Sequence, residues 1–347
     1  MQINLKTYFQ DIHYNRRKPN FFLGMLLTFS EFFYKNIILF KNNLYKKGIL
    51  KEQKVGAYVI CVGNLTTGGV GKTPIVAELA NKISKEQSVA VISRGYGAKL
   101  SNKTPNVIKD YDGIKFENGL LCGDEPYQLA KKVDNAVIIT CADRVKAANL
   151  AIEKYGAKVI ILDDGFSNRK IKKDETIIVA DSKMRFGNNR LLPRGPLREP
   201  IDRIEDSDKI IIVNKGDKDI NGAISYFSAF NKPIQVCSMK PKRIYNLLTK
   251  AEVKLQDKQD IIAFCAIGQP EQFYDFVSEY YNIVEKISFD DHHKYTKTDI
   301  NNLIKLAKKH NISNFISTQK DETKLKPLIC NLNSYSFNIL ELENVIE

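Results

Sequence analysis

Three glycines, a lysine and a threonine fall within six positions, Gly68-Gly-Val70-Gly-Lys-Thr73, shortly after the apolar run at residues 58–62. Glycines in such a turn let successive backbone N–H groups converge on an anion that a side chain would keep away. Thr66, Thr67, Gly68, Gly69, Val70, Gly71, Lys72 and Thr73 are therefore expected to cradle the phosphates of ATP. Lys72 would reach the outer phosphates, and Thr73 would offer its hydroxyl to Mg²⁺ at the positive end of the helix that follows. Pro74 suits a first helical turn, where no N–H is needed. The strict G-x-x-x-x-G-K-[ST] spacing would place a glycine where this chain has Thr66.

Acids that such a loop requires follow. The apolar run at residues 159–162 ends in Asp163-Asp164-Gly165-Phe166, a carboxylate at a strand end where it can hold Mg²⁺ beside nucleotide phosphates. Gly123-Asp124-Glu125-Pro126 places two carboxylates in a turn before a helix, as caps or as acids that orient a hydroxyl nucleophile and take its proton. Asp290-Asp291-His292-His293 holds two of the four histidines, either a surface turn or a partner that tunes a proton acceptor. The proline-punctuated stretch 185–200 carries Arg185, Arg190, Arg194 and Arg198, guanidiniums suited to phosphate or carboxylate.

The elements that must position these residues show as β-branched runs at 58–62, 89–93, 137–140, 159–162, 176–180 and 210–213, separated by helical patterns such as 143–155. Continuous apolar strands alternating with helices predict an α/β fold, a parallel sheet covered on both faces with ligands beyond the strands' carboxyl ends. The alternation resumes from residue 261, which predicts a second, smaller α/β unit: 1–50 is read as an N-terminal helical segment, 51–240 as the nucleotide-binding core and 241–347 as the smaller unit. Residues 21–40 are apolar, but Glu31 and Lys35 interrupt them, so an interfacial helix is expected rather than a membrane span. Phe22, Leu23, Leu26, Leu27, Phe29, Phe33, Ile37 and Phe40 would face lipid, with Lys35, Lys41, Lys46 and Lys47 near headgroups.

A net charge of +13 over 347 residues favours an acidic partner. No helicase-like motif or cluster of interleaved aromatic and basic residues supports nucleic acid as that partner. Six dispersed cysteines without a C-x-x-C exclude a disulfide framework and a structural zinc site, and suit a reducing compartment.

Taken in order, 62–74, Ser93-Arg94-Gly95-Tyr96-Gly97, 123–126, Asp143-Arg144, 163–166, 192–200, Asp291-His292 and Thr318-Gln319-Lys320-Asp321 resemble the tetraacyldisaccharide 4'-kinase family of lipid A biosynthesis. The resemblance covers nearly the whole chain, and that family's phosphate loop also lacks the glycine absent at Thr66. It implies a P-loop domain joined to a smaller α/β domain, and transfer of the ATP γ-phosphoryl group to the 4'-hydroxyl of an acylated glucosamine disaccharide 1-phosphate. The place implied is the cytoplasmic face of a bacterial inner membrane, with its anionic surface as a partner. It further implies that Lys72 and Thr73 bind ATP and Mg²⁺, that Asp163 and Glu125 serve the metal with Thr73, that Asp124 accepts the proton assisted by His292, and that Arg144, like Glu125, acts near the phosphates. Ser167 and Asn168 stand where the family usually has Gln-His, and Gln319 where Glu is usual. The competing reading is a membrane-associated P-loop GTPase or ATPase switch. Asn214-Lys215-Gly216-Asp217 matches N-K-x-D, but no D-x-x-G switch accompanies it, and Thr67 replaces the lysine of such ATPases.

Overall fold

The computed structural model describes residues 5–347 apart from 96–97, 117–118, 215, 217–218, 254–257, 268–269, 291–292 and 333, with backbone alone for 5–7, 119–120 and 323. The chain forms two compact units, residues 1–237 with 346–347, and residues 238–345.

The first unit begins with two helices, α1 (Leu5–His13) and α2 (Phe21–Lys46). Strand β1 (Tyr58–Gly63) then leads through the glycine loop into α3 (Lys72–Ile83), followed by β2 (Val89–Ser93). After the edge strands β3 (Asn106–Asp110) and β4 (Gly113–Ile114) come α4 (Gly119–Cys122), α5 (Asp124–Lys132), β5 (Val137–Thr140) and α6 (Arg144–Tyr155). Strands β6 (Val159–Asp163), β7 (Glu175–Asp181) and β8 (Lys209–Asn214), then α7 (Ile220–Ser228), complete it. The strand order is β8-β7-β1-β6-β2-β5-β3-β4. Strands β8 to β5 in that order are parallel, and only the β3 and β4 edge runs antiparallel.

Parallel strands covered by helices on both faces must be apolar at nearly every position, and β2, β5 and β6 are buried throughout. One core packs α3 and α5 against one face, through Ile75, Val76, Leu129, Val133 and Ile138. A second packs α6 against the other, through Ala147, Ala148, Ala151, Ile139 and Leu162. Helix α6 is well delimited: the Asp143 side chain accepts from Val145 N and Lys146 N, and Gly156 ends it in the left-handed conformation at φ 62°.

Strand β9 (Ile234–Asn246) carries the chain across the boundary between the units. The second unit continues with β10 (Asp260–Cys265), α8 (Pro270–Tyr280), β11 (Asn282–Ser288), α9 (Lys297–His310), β12 (Asn314–Thr318), α10 (Glu322–Ile329) and β13 (Ser336–Ile346). Its parallel strands run in the order β11-β10-β12-β13.

The chain is thus a mixed α/β protein with a mostly parallel sheet and an N-terminal apolar helix. Apolar runs predict β1, β2, β5 to β8 and β10 to β12, whereas β3, β4, β9 and β13 carry half-exposed polar positions and give no such run. Helix α2 is longer than the apolar run, and among the described residues it is the one helix long and apolar enough to cross a membrane. Phe22, Leu26, Phe29, Phe33, Ile37 and Phe40 are exposed, but Leu27 turns inward at 5% exposure and Lys41 donates to the Ser167 carbonyl at 3.1 Å rather than standing clear. All six cysteines are free thiols; five are buried and Cys330 is exposed.

Candidate active site

The described candidate residues of the first unit, from the loop and from Asp124, Glu125, Arg144 and Asp163, converge because of the parallel topology. Strands β1 and β6 are neighbours in register, Val62 opposite Asp163, so the glycine loop and the acidic strand end leave the same carboxyl edge. Helix α6 leaves β5 at that edge with Arg144 as its first residue. Helices α3 and α5 are tied tail to tail, since Asn81 Nδ2 donates to the Lys132 carbonyl and Asn81 Oδ1 accepts from Asp134 N, each at 2.9 Å. Both run back along the sheet, which brings the α5 start, with Asp124 and Glu125 exposed, to the same edge as Lys72.

Within the loop, Gly71 has φ 97°, where an L side chain is strained, and a Cβ there would stand 3.2 Å from Val213 Cγ1. A Cβ at Gly68 or Gly69 would stand in open space, so the loop is bare on the side an anion must approach. Thr66 and Thr67 anchor the loop's first turn: the Thr66 hydroxyl accepts from Asn64 Nδ2 at 3.3 Å, Thr66 is 3% exposed, and Thr67 N donates to the Pro196 carbonyl at 2.7 Å. Val70 joins the α3 core, and Thr73 is half-buried in the first turn of α3.

The two acids of the β6 end divide in character. Asp163 is 5% exposed, and burial pushes its carboxyl up to about 7, with Lys72 opposing and the neighbouring Asp164 and Glu125 charges adding to the rise. Asp164 turns outward in the left-handed region at φ 56°. Burial would raise its carboxyl too, but hydrogen bonds from Arg198 together with the Lys72 charge outweigh that and hold it at about 2. Arg198 is bidentate, Nη1 to Asp164 Oδ2 at 3.0 Å and Nη2 to Oδ1 at 2.8 Å, while Lys72 Nζ lies 3.5 Å from Asp164 Oδ1 and donates to Asn64 Oδ1 at 3.0 Å. Arg144 is 2% exposed, and its Nε is buried with no hydrogen-bond partner among the described residues. Burial lowers its pKa, and the charges of Asp163 and Asp164 oppose this.

Asn64, which accepts from Lys72 and from Arg198 Nη2, carries no signal in the sequence beyond its place after an apolar strand. Arg198 is one of the four loop arginines, and it takes the carboxylate. His292, with Asp291, Tyr96, Lys215 and Asp217, lies outside the described residues. Its neighbour His293 is engaged at the start of α9, where its Nε2 lies 3.1 Å from Asp299 Oδ2 and its ring stacks on Phe289 at 4.8 Å.

This arrangement suits a polyphosphate: a bare backbone loop, a lysine, a buried acid near neutrality and a buried arginine, all at one sheet edge. The model of the family described as Tetraacyldisaccharide-1-P 4'-kinase matches residues 23–346. The tetraacyldisaccharide 4'-kinase of Halothermothrix orenii is 34% identical over 318 residues, 86% of this chain and 82% of that protein. Its counterpart from Syntrophus aciditrophicus is 34% identical over 338 residues, 90% of this chain and 87% of that protein. A crystal structure of LpxK from Aquifex aeolicus in complex with ATP is similar at a TM-score of 0.65 and 30% identity, covering 94% of this chain and 95% of that one. With a family match running from residue 23 almost to its end, this chain belongs to the tetraacyldisaccharide-1-P 4'-kinase family.

Proposed function

We propose that this chain transfers the γ-phosphoryl group of ATP to the 4'-hydroxyl of an acylated glucosamine disaccharide 1-phosphate, a step of lipid A biosynthesis. The observation that carries the reading is the gathering of Lys72, Arg144 and the buried Asp163 beside a bare glycine loop, in a chain matched by the kinase family over residues 23–346. Phosphoryl transfer asks a protein mainly to position groups and offset charge. The loop backbone and Lys72 hold the β- and γ-phosphates, and Arg144, whose Nε is unpartnered, meets the charge that spreads over the transferred group.

Among the described residues no group of three or more His, Cys, Asp or Glu could hold a metal ion by itself. Mg²⁺ on a nucleotide needs only one or two protein oxygens beside phosphate and water, and a buried carboxyl poised near neutrality fits that demand. Asp163 and the Thr73 hydroxyl would hold the ion, with Glu125 close enough to influence Asp163; bound there, it would neutralise phosphate charge. Asp124, exposed at the start of α5, orients the sugar hydroxyl and takes its proton. The assistance of His292 belongs to the same proposal and rests on the Asp291-His292 motif.

The exposed face of α2, with Phe21 and Phe22 at 75% and 81% exposure, supports seating on the cytoplasmic face of the inner membrane, where an acylated substrate resides. A GTPase switch is disfavoured by the family match. The deciding experiment supplies labelled ATP or GTP with the glycolipid and with water alone. Labelled lipid from ATP is expected; release of free phosphate only, or strict dependence on GTP, would refute the kinase.

A further inference from the structure

A cavity of about 420 Å³ lies at the carboxyl end of β7, beside the link between α1 and α2, and takes no part in the roles above. Its walls include Tyr14, Arg16, Lys183, Met184, Arg185 and Tyr226. We propose that it binds the phosphate of a lipid headgroup, either the substrate's own 1-phosphate or that of a bulk anionic phospholipid.

Arg16, Lys183 and Arg185 share this cavity, and the acids beside the two arginines hold them loosely. Arg16 Nη1 is 4.0 Å from Asp11 Oδ1, and Arg185 Nη2 is 3.8 Å from Asp219 Oδ2, both beyond hydrogen-bond distance. Asp181 Oδ1 accepts from Lys183 N at 3.0 Å and Met184 N at 2.9 Å, closing the turn that follows β7. That turn holds Arg185 in the left-handed region at φ 47°, a conformation disfavoured for a side-chain-bearing residue. The guanidinium lies 5.2 Å over the Tyr226 ring, and the Tyr226 hydroxyl donates to Asn189 Oδ1 at 3.1 Å. A cation fixed over an aromatic face before any ligand arrives is preorganised for an anion.

Its surroundings point to lipid. The chain leaving Arg16 passes Arg17 and Lys18 and enters α2 at Phe21 and Phe22, the most exposed aromatic side chains there, so the cavity stands beside the apolar face at headgroup depth. The loop that forms the cavity continues along α2, with Arg190 Nη1 3.1 Å from Glu31 Oε2, and ends at Arg198 on Asp164. Strand β7 is the neighbour of β1, which places the cavity one strand from the phosphate loop at the same sheet edge. A lipid held here by its phosphate has its sugar directed along a surface shared with the nucleotide site.

The test uses the full chain with Arg16→Gln and Arg185→Gln combined, and Lys183→Gln alone as a variant at an exposed side chain should the pair fail to fold. Two measurements are made: KM for the glycolipid with and without its 1-phosphate, and co-sedimentation with phosphatidylcholine vesicles with and without phosphatidylglycerol. A KM rise of about tenfold or more for the 1-phosphorylated substrate alone identifies the substrate's phosphate. Equal KM shifts for both substrates with lost preference for phosphatidylglycerol identify bulk phospholipid. A folded variant that keeps both the 1-phosphate preference and the vesicle preference of the wild type overturns the proposal. The first measurement rests on the kinase reading; if the wild type phosphorylates neither glycolipid, that reading fails, while the vesicle measurement still judges the cavity.

Discussion

Replacing Asp163 with Asn should make the protein more stable while removing its activity, and the gain should depend on pH in a calculable way. The folded carboxyl titrates at about 7 against an ordinary 3.8, because burial penalises the charged form. Below about pH 4 the proton is bound in both the folded and the unfolded chain, and ionisation costs nothing. Between about 4 and 7 the unfolded chain releases the proton and the folded chain keeps it, so the contribution of this group to stability falls as pH rises and levels off above 7. At roughly 1.4 kcal/mol per pKa unit the loss is about 2 kcal/mol at pH 5 and about 4 kcal/mol at pH 8. An asparagine does not titrate, so D163N should gain roughly 2–3 kcal/mol on the wild type between pH 5 and pH 8. Nucleotide-free urea unfolding of both proteins at the two pH values measures this, since the difference cancels every group they share. A stability difference equal at pH 5 and pH 8 would refute the burial of a titrating Asp163. Phosphoryl transfer by D163N should fall by at least about 100-fold, as loss of a group that holds charge in a preorganised site does.

Three further outcomes are expected. Asp124→Asn should lower kcat by about 100-fold or more while ATP affinity measured by calorimetry stays near the wild-type value, because the base acts on the acceptor and not on the nucleotide; unchanged turnover would remove Asp124 from its role. Gly71→Ala should cost about 1–2 kcal/mol in urea unfolding and weaken ATP binding, since φ 97° strains an L residue and the new Cβ would press on Val213 at 3.2 Å; a neutral substitution would mean that the loop relaxes freely. Phe22→Asp, Phe29→Asp and Ile37→Asp together should abolish vesicle binding without altering the melting temperature, as these side chains are 81%, 64% and 67% exposed; membrane partitioning equal to that of the wild type would mean that another surface seats the protein.

Much of the fold was legible in the chain, and what escaped did so for stated reasons. Strands buried on both faces write themselves as apolar runs, which is why β1, β2, β5, β6, β7 and β8 can be read directly. The β3 and β4 edge carries half-exposed and exposed positions, and β9 breaks its apolar residues with Gln235, Ser238 and the Lys240-Pro241-Lys242-Arg243 stretch, so neither offers a run to read. Helix α2 was legible as an apolar helix, but not its inward face of Leu27, Ile38 and Asn42, which depends on a loop more than 150 residues away through bonds such as Glu31 to Arg190.

By itself the sequence determined the strand, glycine loop and helix around Lys72 and the acidic end of β6, because both are local patterns in which residue type and backbone conformation constrain each other over a few positions. Only the tertiary structure decided that Asp163 is buried with a carboxyl near 7 while the adjacent Asp164 is held at about 2. Adjacent aspartates are chemically identical on paper. Their difference comes from a strand end that turns one side chain into the sheet edge and the other toward Arg198, 34 residues further along the chain, and desolvation and long-range charge pairing exist only once the chain has folded.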